Sequence, residues 1–288
     1  MTARLRKQMA LVQSGSIITQ PFNVYLATVP EPAHIDVNDH KMMMRLTLLL
    51  TRKPSNNRSG AFHPSGIDRC PREQVFSFLG VPQKERINPG LQHVFSDGHW
   101  RHVRWQIALL QAGLVSHVEE GIKSTPLRLA GHIDALQRDE YLVELKGIHT
   151  MQFKYVLTEP KPEHSDQAEL YLRMAGYDTM CIIYEDKASN NWHEHVVHPD
   201  KQRWLRLKRL VATLNAAIDN RRLPPMLDDC RVRKGAQFRD CPYAYVCHRA
   251  DFESAEAAAQ EATPEEALAV VVSQRPVRLR VRKGTGRA

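Results

Sequence analysis

The stretch that decides the fold is Leu129–Ile148, LAGHIDALQRDEYLVELKGI. Apolar residues alternate through Tyr141–Ile148, and strand side chains alternate between faces with a period of two. Glu144 and Lys146 therefore share one face, with Val143 and Leu145 on the other. Leu127–Leu136 reads as the partner strand of a β-hairpin. A three-residue loop of Arg138, Asp139 and Glu140 sets Asp134 opposite Glu144 on the same face, whereas a four-residue loop turns it away. In the first register two carboxylates and an amine converge. Carboxylate oxygens suit hard divalent cations such as Mg²⁺ or Mn²⁺, and an amine can orient a water or a phosphate oxygen. The same pattern also describes a strand with a solvated charged face, so the hairpin alone leaves both readings open.

The bulk numbers narrow the class. A chain of 288 residues with 42% hydrophobic content can build one large domain with appendages. Met42–Leu50, the longest apolar stretch, is interrupted by Arg45 and reads as a strand; nothing is long enough to span a bilayer. Met1–Leu11 is basic, but no apolar stretch with a cleavage site follows, so a cytoplasmic protein without membrane attachment is expected. A formal charge of +8 favours a polyanionic partner such as DNA. Five cysteines, an odd number without an export signal, argue for metal ligation over a disulfide framework.

Along the chain, Ser16–Val29 and Lys41–Thr51 look like strands around a Pro-containing loop, making residues 1–57 a β-rich N-terminal appendage. Ile67–Gly80 predicts a helix capped by Asp68, with Cys70 and Pro71 near its start and Val75, Phe76 and Leu79 as its buried stripe. Phe95–Gly113 predicts an amphipathic helix with Asp97 as N-cap and with His99 and His102 one turn apart. A Pro-rich break at Thr158–His164 leads into a helix over Ser165–Ala175 that stops at Gly176. Gln167 and Tyr171, four residues apart, share a face of it. Thr179–Asp186 and Trp192–His198 form a second hairpin, with Cys181 as a buried core thiol. Asp200–Asn220 predicts a long helix whose outer face carries Arg203, Arg206, Lys208 and Arg209, able to track phosphates on a DNA-binding protein. Ala255–Ala269 is Ala/Glu-rich and reads as helical, and Arg275–Ala288 as a basic tail with nonspecific nucleic-acid affinity.

Residues 228–250, DDCRVRKGAQFRDCPYAYVCHRA, hold Cys230, Cys241 and Cys247 in a loop-rich, poorly apolar segment. Three such thiols bound to one group need a fourth ligand, for which Cys70 is the candidate.

These residues carry a family resemblance. Asp134 followed by Glu144-x-Lys146 resembles the core of PD-(D/E)XK nucleases. Gly98-x-x-x-His102, Gly131-x-x-Asp134 and Gln167-x-x-x-Tyr171 stand in the order of the signatures of the RecB-type branch. The resemblance implies that His102 is a further metal ligand, with His99 as the nearby alternative, and that Gln167 and Tyr171 engage DNA or the active site. Cys70-Pro71-Arg72 and the C-x5-C of Cys241–Cys247 resemble the iron–sulfur members of that branch, which include the CRISPR-associated exonuclease family and AddB-type recombination nucleases. There one N-terminal and three C-terminal cysteines hold a 4Fe-4S cluster, here Cys70, Cys230, Cys241 and Cys247. One departure is plain: the usual spacing is C-x2-C-x5-C, and Phe238 occupies the middle position here. Zinc held by Cys230, Cys241 and Cys247 with Cys70 or His248 is the alternative.

The resemblance implies an α/β fold with a mixed sheet flanked by helices. The nuclease core then spans 58–250, its cluster region is formed by Cys70 and 228–250, and 251–288 is a flexible tail. The implied activity is metal-dependent DNA exonuclease action on single-stranded ends, 5′ to 3′ favoured, in recombination, DNA processing or CRISPR adaptation in a bacterial or phage-infected cell. Asp134 and Glu144, with His102 and the backbone carbonyl of Leu145, would hold Mg²⁺ or Mn²⁺. Lys146 would orient the attacking water. The alternative is a noncatalytic iron–sulfur DNA-binding subunit of a larger complex.

Overall fold

The central hairpin closes through three residues, Arg138–Glu140, and Asp139 takes the left-handed conformation (φ +62°) that such a loop requires. The computed structural model describes residues 16–28, 60–83, 89–233 and 235–261. Five strands form one sheet in the order β1 (His117–Ser124), β2 (Leu129–Gln137), β3 (Tyr141–Ile148), β4 (Met180–Asp186) and β5 (Trp192–Val197). All neighbours are antiparallel except β3 and β4. That parallel step needs a crossover, and residues 149–179 supply it. The expected mixed sheet flanked by helices is present.

Among the described residues the longer helices around the sheet are α1 (Thr19–Thr28), α2 (Pro71–Leu79), α3 (Pro89–Gln111), α4 (Pro162–Ala175), α5 (Lys201–Asp219) and α6 (Phe252–Glu261). On one face, Ile18 and Phe22 of α1 and Trp105 and Leu109 of α3 pack on Val143, Leu145, Cys181 and Ile183. On the other, Ala168, Tyr171 and Leu172 of α4 pack on Ile133, Leu142, Met180 and Ile182. A third layer sets Leu207, Val211 and Leu214 of α5 and Val75 of α2 against Leu170 on the back of α4. The odd and even residues of β3 thus feed different cores, as the alternation dictates.

Several boundaries differ from expectation. Ser16–Val29 contains α1 rather than a strand. Its aromatic and β-branched residues favour strand locally, but tertiary contacts override that preference. Phe22 stacks among Tyr25, Trp105 and Trp192, and the helix start is capped from β5. Ser16 Oγ and the Ile17, Ile18 and Thr19 amides all donate to the Glu194 carboxylate at 2.6–3.0 Å. The first turn of a helix leaves such amides unpaired, so a distant carboxylate can decide where it forms.

Burial pushes the Glu194 carboxyl up, but these amides outweigh it and hold it below its ordinary value of 4.5. A depressed carboxylate stabilises the fold above its unfolded pKa, and the contribution disappears as pH falls through the folded pKa. Glu194→Ala should cost about 1–3 kcal/mol at neutral pH and almost nothing in strong acid. Thermal melts of the two proteins along a series from pH 7 into strong acid check this; a loss that stays the same throughout would refute the cap.

Asp68 does not cap α2. Cys70 is the N-cap residue and Pro71 takes the first helical position, where a missing N–H costs nothing. Asp97 is not an N-cap either, because α3 begins at Pro89; Asp97 instead accepts from Arg101 Nε at 2.9 Å. On α5, Arg203 and the still exposed Arg206 both pair with the buried Asp166, so half of the basic face expected to track phosphates ties α5 to α4. The start of the segment expected as a tail is α6, whose Phe252 and Ala255 are buried. Lys41–Thr51 and Arg275–Ala288 lie outside the described residues.

Candidate active site

The sheet breaks its own pleat where the acidic residues sit. The β2–β3 ladder runs from Gln137↔Tyr141 to Ala135↔Val143 and stops there. One more step would set Asp134 opposite Glu144, as the three-residue loop requires. Instead the Asp134 side chain enters the ladder, Oδ2 accepting the Leu145 N–H at 2.7 Å. Ile133 and Ala135, two residues apart, consequently pack into opposite cores. The distortion continues into β1: Val118↔Ala135 and Glu120↔Ile133 pair, but Glu119 between them sits at φ +53°. Such kinks re-aim side chains. Here Glu119 and Asp134 turn toward α3.

Helix α3 meets them with two residues one turn apart. His102 Nδ1 lies 3.3 Å from Asp134 Oδ1. Gln106, fully buried, donates through Nε2 to Glu119 Oε1 at 2.6 Å and to the Asp134 carbonyl at 2.9 Å. His102, Glu119 and Asp134 each bring a ligand atom within 4.8 Å of the others. His99, the alternative to His102, is exposed on α3.

The second half of the site is a closed triangle. Lys146 Nζ is 2.6 Å from Glu144 Oε1 and donates to Gln167 Oε1 at 3.0 Å, while Gln167 Nε2 donates to Glu144 Oε1 at 2.8 Å. A lysine has only donors and a carboxylate only acceptors, so the Gln167 amide has one workable orientation. Glu144 is 3% exposed, yet its Oε2 has no hydrogen-bond partner among the described residues. An orphaned buried carboxylate oxygen is costly unless a cation meets it.

Electrostatics agree with the geometry. Burial pushes Glu144 up, the Asp134 charge adds to this, and Lys146 only partly offsets them, so its pKa is raised. Burial also acts to raise Asp134, but His102, Lys146 and the Leu145 amide reverse the effect and hold its pKa down. Burial would lower the His102 pKa, yet Asp134 and Glu144 bring it to about 9. For Lys146, burial is likewise outweighed by the two carboxylates, and its pKa rises. Three carboxylates facing one imidazole and one amine make a donor set of hard oxygens and a ring nitrogen, which suits Mg²⁺ or Mn²⁺.

Tyr171 completes the wall. One turn beyond Gln167 on α4, it is buried and interacts with Gln167 and the His132 backbone. A Cβ built on Gly131 would stand 2.6 Å from the Tyr171 hydroxyl and 3.0 Å from its ring. Gly131→Ala should therefore displace Tyr171 at a cost of about 1–3 kcal/mol. A melt unchanged from the parent protein would show that the contact is not tight.

All five residues expected to act, Asp134, Glu144, Lys146, Gln167 and Tyr171, border one site, with His102 beside Asp134. Leu145 sits between Glu144 and Lys146, its side chain in the opposite core. Sequence reading missed Glu119 and Gln106. Glu119 belongs to no recognised motif, and only the β1–β2 register places it beside Asp134.

The four cysteines expected as ligands lie in and around α2 and the segment after α5. Cys70 begins α2, Cys230 and Cys247 lie buried in short helical turns, and Cys241 is partly buried. Cys247 and Cys241 pack with Phe76, Val81 and Tyr243. Burial raises the Cys230, Cys241 and Cys247 thiols, and Cys70 adds to the rise in each. Among the described residues no three of these sulfurs close to the 4.8 Å spacing that His102, Glu119 and Asp134 meet. Cys181 is separate, fully buried in β4 as expected.

Among the described residues no helix is long and apolar enough to cross a membrane. No protein-family model and no curated protein matches the chain. Among solved structures, the chain is similar to LHK-Exo, an alkaline exonuclease from Laribacter hongkongensis. The likeness to LHK-Exo in complex with dAMP has a TM-score of 0.45 at 18% identity, over 57% of this chain and 91% of that one. A second LHK-Exo structure gives a TM-score of 0.44 at 18% identity, over 57% and 90%. A protein designated SSO0001 gives 0.41 at 15% identity, over 75% and 97%.

Proposed function

We propose that the protein is a divalent-metal-dependent deoxyribonuclease acting on single-stranded DNA ends, 5′ to 3′ the favoured direction. The observation that carries this reading is the convergence of Asp134, Glu144 and Lys146 around the unpartnered Glu144 Oε2. Mg²⁺ or Mn²⁺ would be held by Asp134 and Glu144, with His102 and the Leu145 carbonyl, and Glu119 stands close enough to contribute an oxygen. Such an ion supplies a more acidic water and neutralises charge on the scissile phosphate. Lys146, fixed by Glu144 and Gln167, orients the attacking water or stabilises the crowded phosphorus. Gln167 keeps that amine in place, and Tyr171 shapes the wall along which the strand lies. The ordered RecB-type motifs support the same reading and leave recombination, DNA processing and CRISPR adaptation as its settings.

Cys70, Cys230, Cys241 and Cys247 are the proposed ligands of a 4Fe-4S cluster, with zinc as the alternative. What supports a shared group is proximity: the Cys70 side chain is near enough to Cys230, Cys241 and Cys247 to act on each of them electrostatically. The cluster would staple α2 to the segment after α5, closing a long loop. Iron, sulfide and zinc analysis of anaerobically purified protein separates the two.

The test of the activity is cleavage of end-labelled single-stranded DNA by that protein, with Mn²⁺ or Mg²⁺ and with EDTA. Metal-dependent cutting is expected, and the surviving label gives the direction. An intact preparation that binds DNA without cutting it would replace this reading with the noncatalytic DNA-binding subunit.

A further inference from the structure

The crossover between β3 and α4 wears apolar side chains on its outside. It consists of a helical turn at Thr150–Phe153 and a 3₁₀ turn at Tyr155–Leu157. Its underside is well anchored. Val156 is buried beneath α4, and Phe153 packs on the same core. Thr150 Oγ1 donates to Asp186 Oδ1 at 2.6 Å, the His149 ring caps the Met151 amide, and His195 bonds the Val156 carbonyl. Yet Met151 is 73% exposed, Tyr155 65% and Leu157 47%. Lys154 Nζ stands 4.9 Å from the centre of the Tyr155 ring. Large apolar groups held outward on a fixed backbone mark a contact surface more often than a scattered exposed leucine does.

This surface is linked to the candidate active site through the start of α4. It begins four residues after Lys146. Lys161 Nζ donates to Gln152 Oε1 at 2.9 Å, tying the turn to the start of α4. There His164 feels the charges of both Lys146 and Lys161. The segment is therefore a rim on the Lys146 side of the site.

We propose that Tyr155, flanked by Met151 and Leu157, is a stacking platform for the bases of a single DNA strand entering the Asp134–Glu144–Lys146 site; this rests on the nuclease reading above. An aromatic face accepts any unpaired base, and methionine and leucine extend the apolar area around it. Lys154 sets positive charge beside the ring, where a strand's phosphates follow its bases; Lys161, held by Gln152, adds a second cation near the turn, although Glu163 shares it at 3.8 Å. The net charge of +8 suits the same polyanion. A duplex hides its base faces within its own stack, so the platform is specific for unpaired DNA.

The test is fluorescence anisotropy of a labelled oligothymidine in EDTA, where nothing is cut, together with a duplex of the same length. The proteins are wild type, Tyr155→Ala and Tyr155→Phe. Tyr155→Ala should bind the single strand about tenfold more weakly, the value of one base–aromatic stack. Tyr155→Phe should restore binding, and duplex affinity should move less than twofold. A 2-aminopurine base in the strand should be quenched by wild type and not by Tyr155→Ala. Unchanged single-strand affinity in Tyr155→Ala overturns the platform, as does an equal loss on duplex. Self-association in sedimentation that Tyr155→Ala abolishes, without an effect on DNA, assigns the surface to protein contact and overturns it too. Metal-dependent cutting by wild type judges the nuclease reading separately. Tyr155-dependent binding without cutting keeps the platform and removes the nuclease, cutting with a neutral Tyr155→Ala does the reverse, and wild type that binds no DNA removes both.

Discussion

Glu144→Gln is expected to slow metal-dependent DNA hydrolysis about a thousandfold while leaving the fold intact. The glutamine fills the same buried space, and its amide oxygen still accepts from Lys146 and Gln167, the two partners that Glu144 Oε1 has now. What disappears is the negative charge and the second oxygen, Oε2, which no group among the described residues satisfies. If that oxygen meets a divalent ion, losing it removes several kcal/mol of charge stabilisation, and about 4 kcal/mol corresponds to a thousandfold in rate. Calorimetric titration with Mn²⁺ should show weaker binding in the same variant. Rates and Mn²⁺ affinity equal to wild type would remove Glu144 from the chemistry and with it the reading of this site.

Glu185→Ala is expected to give the largest loss of stability, about 3–5 kcal/mol, the usual consequence of breaking a buried ion pair from one side. Glu185 is 3% exposed at the end of β4. It receives Arg101 Nη1 at 3.0 Å, Trp105 Nε1 at 2.8 Å and Arg104. All three donors lie on α3, so one carboxylate holds the helix that carries His102 and Gln106 against the sheet. Without it, Trp105 keeps a buried, unpaired N–H. Arg101 keeps only Asp97, Asn190 and the Lys187 carbonyl. At about 3 °C per kcal/mol for a chain of this size, the melting temperature should fall by roughly 10 °C. Mn²⁺ affinity, measured below the transition, should also fall, because His102 loses its fixed place beside Asp134. A drop in stability below about 1 kcal/mol, the scale of a surface pair, would show that α3 is held by packing alone.

Residues 1–57 were the least legible part. Whether Ser16–Thr28 is a strand or a helix is decided by Glu194, 175 positions after Thr19, and no local pattern contains that information. The α3 start was misplaced for a related reason: Asp97 looks like a cap because Asp residues often are, but here it pairs with Arg101 inside a longer helix. The basic face of α5 reads as solvated from its own spacing. The neighbouring helix contributes Asp166, and two of the α5 arginines pair with it.

The central hairpin, the face shared by Glu144 and Lys146, and the pairing of Gln167 with Tyr171 on one helix face were all legible in the chain, whereas the mixed sheet was expected only from the family resemblance. The first three follow from periodicity and loop length, which are properties of contiguous residues. Only the tertiary structure decided that the ladder breaks at Asp134, that Glu119 turns to φ +53° beside it, and that His102 rather than His99 meets the pair. Each depends on how α3 lies across the sheet, and that placement is set by the buried Glu185 contacts and the Trp105 packing between elements about 80 residues apart.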